Sequence, residues 1–309
     1  MKVDSDCKRE HPDYTRVNKT NILREGLCIM KKYLKLLRVK HYLKNVLVFA
    51  PLFFNRTLFT SKSVNALIGF LAFCLISSAV YVYNDIQDAP KDRLHPTKRL
   101  RPIASGAVSV LQAKIMGFLC LVLSITLSIC FGNLTSVLFV LLYFALNLLY
   151  SSGLKNRPLI DVIILASGFI IRVIYGAALT NIPISGWLYL TIWTGAFYMG
   201  LGKRRNEIQK QGDEGETRPV LKYYTYSFLD KNMYVCVALA IVFYALWAVE
   251  RNDSRFLWSV PIMMIILMKY SLDIEGNSDG DPIEVITHDK TLILLIGTFA
   301  AFLGYVIYT

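Results

Sequence analysis

Histidine is scarce in this chain: four in 309 residues, His11, His41, His95 and His288. They form no metal-ligand spacing, and no glycine-rich nucleotide loop or serine-hydrolase elbow accompanies them. The six cysteines (Cys7, Cys28, Cys74, Cys120, Cys130, Cys236) make no CxxC pair, which argues against a zinc centre and a disulfide framework alike. They read as small apolar packing residues. Residues 1–20 hold charges but no apolar run, so no cleavable signal peptide is expected there. Polar surface is also in short supply: 18% of residues are charged and 54% hydrophobic, with a mean hydropathy of +0.44. That balance excludes an ordinary water-soluble domain.

The apolar residues come in blocks of about 16 to 22, the length that crosses a hydrocarbon core as a helix. Nine spans are expected, at roughly 43–60, 64–83, 112–131, 133–151, 159–179, 185–202, 232–250, 256–272 and 290–308. Pro51 and Asn55 interrupt the first. A β architecture is excluded because open strand edges cannot face lipid. The expected fold is therefore an all-α integral membrane protein.

A formal charge of +12 suggests nucleic acid at first sight. With the N-terminus placed inside, however, 29 of the 34 lysines and arginines fall on the inner side. Only Arg56, Lys62, Arg251 and Arg255 fall outside, and Arg172 lies within a span. Such a bias orients a membrane protein and explains the charge without a nucleic-acid partner. The N-terminus is expected in the cytoplasm and the C-terminus outside. Leu23, Leu27, Met30, Leu34 and Leu37 recur at helical spacing among Arg24, Lys31, Lys32, Lys35 and Arg38. Residues 1–38 thus read as a basic tail, either solvated or with a helix on an anionic membrane surface, ahead of a transmembrane domain over 39–309.

The unusual chemistry sits in the inner loops. In Tyr83-Asn84-Asp85-Ile86-Gln87-Asp88-Ala89-Pro90-Lys91-Asp92, three carboxylates stand at i, i+3 and i+7, on one face of a continuing helix. Pro90 either ends that helix or is absorbed by it. Converging carboxylates need a cation, and hard oxygen donors beside phosphate suit Mg²⁺. Asn84 adds a carbonyl ligand or a donor. His95-Pro96-Thr97-Lys98-Arg99-Leu100-Arg101 follows at once, and its cations can hold phosphates that a metal bridges. Lys44-Asn45, Tyr150 with Lys155, and Gly202-Lys203-Arg204-Arg205-Asn206-Glu207 lie at the same face. Each alone reads as a membrane anchor; together they can line a polyanion pocket.

Asp161 and Arg172 lie within one span, eleven residues apart, so they share a face without touching. Arg172 either takes a phosphate entering from the membrane or neutralises a carboxylate on another helix. Asp273 closes the eighth span as a candidate site residue, whereas Glu275, Asp279 and Asp281 read as a solvated loop. Glu250-Arg251 reads as a structural ion pair on the outer side.

Asn84–Asp92 resembles the first aspartate-rich motif of the UbiA-type intramembrane prenyltransferase superfamily. That resemblance implies nine transmembrane helices around a central cavity opening to the cytoplasmic face, with prenyl diphosphate bound through Mg²⁺. Members carry a second DxxxD motif after the sixth helix; here Gly202–Glu207 stands in its place. Arg38–Pro51, Tyr83–Gly106 with its HPTKRLRPIASG, Gly153–Lys155, Ile171–Gly176, Ile182–Trp187, Leu246–Arg251, Lys269–Asp273 and Gly280–Pro282 resemble a narrower branch. Its members move 5-phosphoribosyl from phosphoribosyl pyrophosphate to a polyprenyl phosphate, in cell-wall biosynthesis. The similarity runs from about residue 35 to the C-terminus.

The resemblance implies a plasma-membrane enzyme with Asp85, Asp88 and Asp92 as catalytic residues. Mg²⁺ would sit on these three and Asn84. Substrate contacts would come from Lys44, Asn45, Asn84, Lys98, Arg99, Arg101, Tyr150, Lys155, Arg172, Lys203, Arg204, Glu207 and Asp273. Two phosphorylated substrates explain a basic motif where an acidic one is usual. The alternatives are prenyl transfer to an aromatic or quinone precursor, and a non-catalytic transporter or lipid-binding protein. No signal of oligomeric state is visible.

Overall fold

The computed structural model describes residues 30–214, 219–276 and 280–309. The stretch 1–29, with half of the predicted surface helix, and Asp279 lie outside the described residues. Every element is helical, and no strand occurs among the described residues. The chain divides into two compact units, one of residues 1–40 and 77–121, the other of 41–76 and 122–309.

The main helices are α1 (Ala50–Phe54), α2 (Lys62–Asp92), α3 (Val110–Phe131), α4 (Leu134–Ser152) and α5 (Ile160–Thr180). They continue as α6 (Gly186–Glu214), α7 (Tyr226–Glu250), α8 (Ser259–Glu275), α9 (Pro282–His288) and α10 (Lys290–Tyr308). Seven segments among the described residues are long and apolar enough to cross a membrane: α2 to α5, α7, 254–275 and α10. The other two expected spans differ for local reasons. The first is a 3-10 helix, Val39–Phe49, that passes into short α1 and stops at Asn55 and Arg56, the latter at φ 59°. The sixth, α6, is continuous, but Trp, Tyr, Thr and Gly dilute its apolar content and Lys203-Arg204-Arg205 charge its end.

Helix α3 exposes Leu111, Ile115, Phe118, Val122 and Ile129 along one side. An apolar stripe of this length is a lipid-facing surface. Helices α2 and α5 are the most enclosed, with 61% and 56% of their spanning windows buried against 17% for α3. The turn between α3 and α4 is minimal, because Asn133 accepts from the Ser136 amide and Ser136 Oγ from the Asn133 amide. That reciprocal cap satisfies amide groups water would otherwise have to meet.

In the larger unit, Tyr198, Leu201, Val220, Leu229, Met233, Tyr270, Ile274 and Leu292 form one core. A second gathers Leu188, Tyr244, Trp247, Phe256, Leu303 and Val306. In the smaller unit, Leu36 packs with Val82, Ala89, Ile103, Val108 and Ala113. On the helix over 30–36, Met30 and Leu34 of the expected apolar stripe are exposed, while Leu36, outside that stripe, is buried.

The tightest backbone approach is between α5 and the 3-10 helix. A Cβ on Gly176 would lie 2.1 Å from the Val48 carbonyl oxygen. Gly195, on α6, has nothing within 4 Å of the same position. Gly176→Ala is expected to destabilise by about 1–3 kcal/mol, because backbone cannot yield as a side chain does. Gly195→Ala is expected to be neutral or stabilising. Thermal unfolding of the two variants in one detergent checks the contrast.

Candidate active site

In the smaller unit α2 continues through Pro90 to Asp92, and the Arg93 amide still reaches the Ala89 carbonyl at 3.2 Å. The missing proline N–H costs one bond in the last turn and leaves the helix intact. Asp85 and Asp92 therefore stay on one face, both buried. The loop beyond is organised by His95, whose Nδ1 accepts from the Thr97 and Lys98 amides at 3.3 and 3.4 Å. After the 3-10 turn Lys98–Leu100, Arg101 folds back over the helix end. Its Nη1 donates to Asp92 Oδ2 at 2.6 Å and Asp85 Oδ1 at 3.3 Å. Asp85 Oδ1 also receives Arg38 Nη2 at 2.5 Å, and that guanidinium lies 4.9 Å from the Tyr81 ring centroid. Asn84 and Asp88 are half-buried on the same helix end, and Lys98 and Arg99 are exposed.

Arg38 is absent from the expected site set. Its place among the basic residues of the amphipathic pattern hid it, and φ 52° turns it out of that helix. Among the described residues no three His, Cys, Asp or Glu side chains converge as a metal centre. The donor chemistry nevertheless fits a hard divalent ion. Two carboxylates already point at one cationic nitrogen, and phosphate oxygens of a substrate complete such a shell.

In the larger unit the basic motif of α6 splits. Arg204 is wholly buried: Nε donates to Asp161 at 2.6 Å, Nη1 to Glu207 at 2.5 Å and Nη2 to Tyr150 at 3.2 Å. Tyr224 OH donates to Asp161 at 2.6 Å and accepts from the Leu159 amide. Burial and this bond to a carboxylate push the Tyr224 phenol up. The arrangement braces α4, α5, α6 and the turn before α7, and leaves Arg204 no surface to offer a substrate. Arg205 is likewise engaged, with Asp230 at 2.5 Å.

Lys203 is different. It and Lys44 both donate to Asp281 Oδ2, at 3.4 and 3.1 Å. Burial opposes ionisation of Asp281, but Lys44 and Lys203 outweigh it and hold that carboxyl well below the usual range. Asp281, read from the sequence as part of a solvated loop, is thus mostly buried. Arg172 Nε donates to Asn45 at 2.7 Å, Nη1 to the Gly168 carbonyl at 2.5 Å and Nη2 to Tyr143 at 3.1 Å. It also stacks against Phe73 and Tyr143. Of the two roles open to it, neutralising a carboxylate on another helix is not seen among the described residues. Lys155 is half-buried in the turn after Gly153. Asp273 pairs with Lys269, which also binds Asp289 at 2.6 Å. The expected outer pair Glu250-Arg251 is looser: Glu250 accepts from Ser185, and Arg251 lies 4.8 Å from the Trp247 ring centroid.

The chain belongs to the UbiA prenyltransferase family, which residues 47–287 match. It is 33% identical over 294 residues to the decaprenyl-phosphate phosphoribosyltransferase of Mycolicibacterium smegmatis, covering 89% of this chain and 92% of that protein. The protein of the same name from Corynebacterium glutamicum is 34% identical over 274 residues, 85% of this chain and 82% of that one. A solved UbiA homolog from Archaeoglobus fulgidus, bound to GPP and Mg²⁺, aligns with a TM-score of 0.69 at 20% identity. It covers 90% of this chain and 99% of that one, a likeness of fold. The chain is a multi-pass, all-helical membrane protein with this fold.

Arg204→Met leaves Asp161 buried with only Tyr224 beside it. A loss of about 3–5 kcal/mol is expected, since one partner of a buried ion pair has gone. Arg99→Gln, at an exposed position, is expected to shift the detergent unfolding midpoint by no more than about a degree.

Proposed function

We propose that this chain transfers 5-phosphoribosyl from phosphoribosyl pyrophosphate to a polyprenyl phosphate of decaprenyl type, releasing pyrophosphate. The carrying observation is the similarity along nearly nine-tenths of the chain to proteins bearing that activity in their names. The clustering of cations with the α2 carboxylates supports it. In this reading residues 39–309 form the catalytic domain behind a basic tail. Nine spans, counting 39–54 and α6, enclose a cavity open to the cytoplasmic face of the plasma membrane, with the C-terminus outside.

Asp85 and Asp92, with Asp88 and Asn84 on the same helix end, would hold Mg²⁺, which supplies positive charge to the departing pyrophosphate when bound. Arg101 and Arg38, now on Asp85, are placed to exchange a carboxylate for a phosphate oxygen. Lys98 and Arg99 stand exposed beside them, and Lys44, Lys155 and Lys203 supply further cations for phosphates. In the reaction the C1–O bond to pyrophosphate breaks as an acceptor phosphate oxygen forms a new bond to C1. The acceptor is already an anion near neutral pH, so no general base is required. Orientation and fixed charge carry most of the rate. The polyprenyl tail stays in lipid.

The test uses purified full-length protein with labelled phosphoribosyl pyrophosphate and a polyprenyl phosphate. Organic-extractable label is expected, abolished by chelation and lowered on the order of a hundredfold or more by Asp85→Asn. No labelled lipid, together with turnover of a prenyl diphosphate and an aromatic acid, would overturn the assignment.

A further inference from the structure

The charges around Lys44 do not balance. An ordinary structural ion pair sets one cation against each carboxylate. Here a single carboxylate, Asp281, meets two ammonium groups through the same oxygen, Oδ2. Behind them Arg172, 4% exposed, touches only neutral acceptors and aromatic faces among the described residues, and one of those acceptors is Asn45, the neighbour of Lys44. Lys203 and Arg172 both lie close enough to Lys44 to repel its charge. Among the described residues, three cations and one carboxylate leave an excess of two positive charges in a mostly buried place, where unpaired charge is expensive. A phosphate monoester carries about −1.5 to −2 at neutral pH, with three strong acceptor oxygens. The surplus and the ligand match in sign and size.

Asp281 is built in rather than loosely present. Its Oδ1 caps α9 by accepting the Ile283 amide at 3.0 Å, which fixes the carboxylate and aims Oδ2 at the lysines. Gly280 before it adopts φ 69° and lies against α6, where a Cβ would be 3.2 Å from Lys203 Cα. A side chain there would also meet Asn206 Cβ at 3.1 Å, so α6 would have to give by a few tenths of an ångström. Each ammonium has three donors and gives one to Asp281, leaving others for a ligand.

We propose that Lys44, Lys203 and Arg172 form a subsite for a phosphate monoester, with Asp281 as the residue that positions the two lysines. The proposal rests on transfer between two phosphorylated substrates, and two groups share this chemistry: the 5-phosphate of the ribosyl donor and the phosphate of the lipid acceptor.

The experiment titrates ribose 5-phosphate and, separately, farnesyl phosphate into the full chain in nanodiscs, alongside KM and kcat for both substrates. Asp281→Asn is expected to weaken one of the two ligands about tenfold and raise the matching KM equally, with kcat within twofold. Asp281→Glu is expected to recover most of the loss. Ribose 5-phosphate moving assigns the subsite to the donor; farnesyl phosphate moving assigns it to the acceptor. If Asp281→Asn does not fold, Lys203→Gln is read for the same tenfold loss. Unchanged or tighter binding of both ligands overturns the proposal, as does failure of Asp281→Glu to rescue. Weakened binding in a protein that transfers no phosphoribosyl leaves the subsite standing and removes the proposed reaction instead.

Discussion

A charged group withdrawn from water must meet an opposite charge or a full set of hydrogen bonds, and inside a membrane there is little else to solvate it. That requirement shapes this molecule more than any single apolar contact. Asp161 is met by Arg204, Asp85 by Arg38 and Arg101, and Asp281 by Lys44 and Lys203. Apart from Arg101, which folds back from the next loop, these partners come from elements far apart in the chain, so the helices that carry the charges must sit where the pairs can close. Apolar packing then fills in around them.

Two arginines of similar burial have been put to different ends. Arg204, held by two carboxylates and two phenols' worth of network, is a brace. Arg172 is held by an amide, a carbonyl and a phenol, which orient its charge without cancelling it. The first contributes to the fold; the second leaves a field. A family pattern with carboxylates at the end of the sixth span would have set negative charge where Lys203 now meets Asp281.

The helical architecture was legible because apolar blocks of membrane length are hard to mistake, and the 3.6-residue period put Asp85 and Asp92 on one face. The continuation through Pro90 was open in the sequence and is settled by one bond beyond it, since a proline in the last turn loses little. Partner choice was not legible. Asp161 and Arg204 are 43 residues apart, and nothing in the spacing says that this arginine turns inward while Lys203, one position earlier, turns to Asp281. Asp281 reads as solvated in the sequence because acids in a loop next to a span usually face water. Pro282, opening a helix directly after it, was a sign that Asp281 caps that helix. Arg38 was counted with the basic residues around it, whereas its left-handed backbone sends it elsewhere.

The contact between the 3-10 helix and α5 works as a vernier. Along the first, Asn45 and Val48 are three residues apart; along the second, their partners Arg172 and Gly176 are four apart. A 3-10 turn of three residues climbs about 6 Å and four α-helical residues climb about 6 Å, so two rods of unequal pitch stay in step. Wound as an α-helix, the same segment would bring its equivalent position round at residue 49 instead of 48. The backbone of Phe49 would then have to take the place of Val48's against a glycine that tolerates nothing larger than hydrogen.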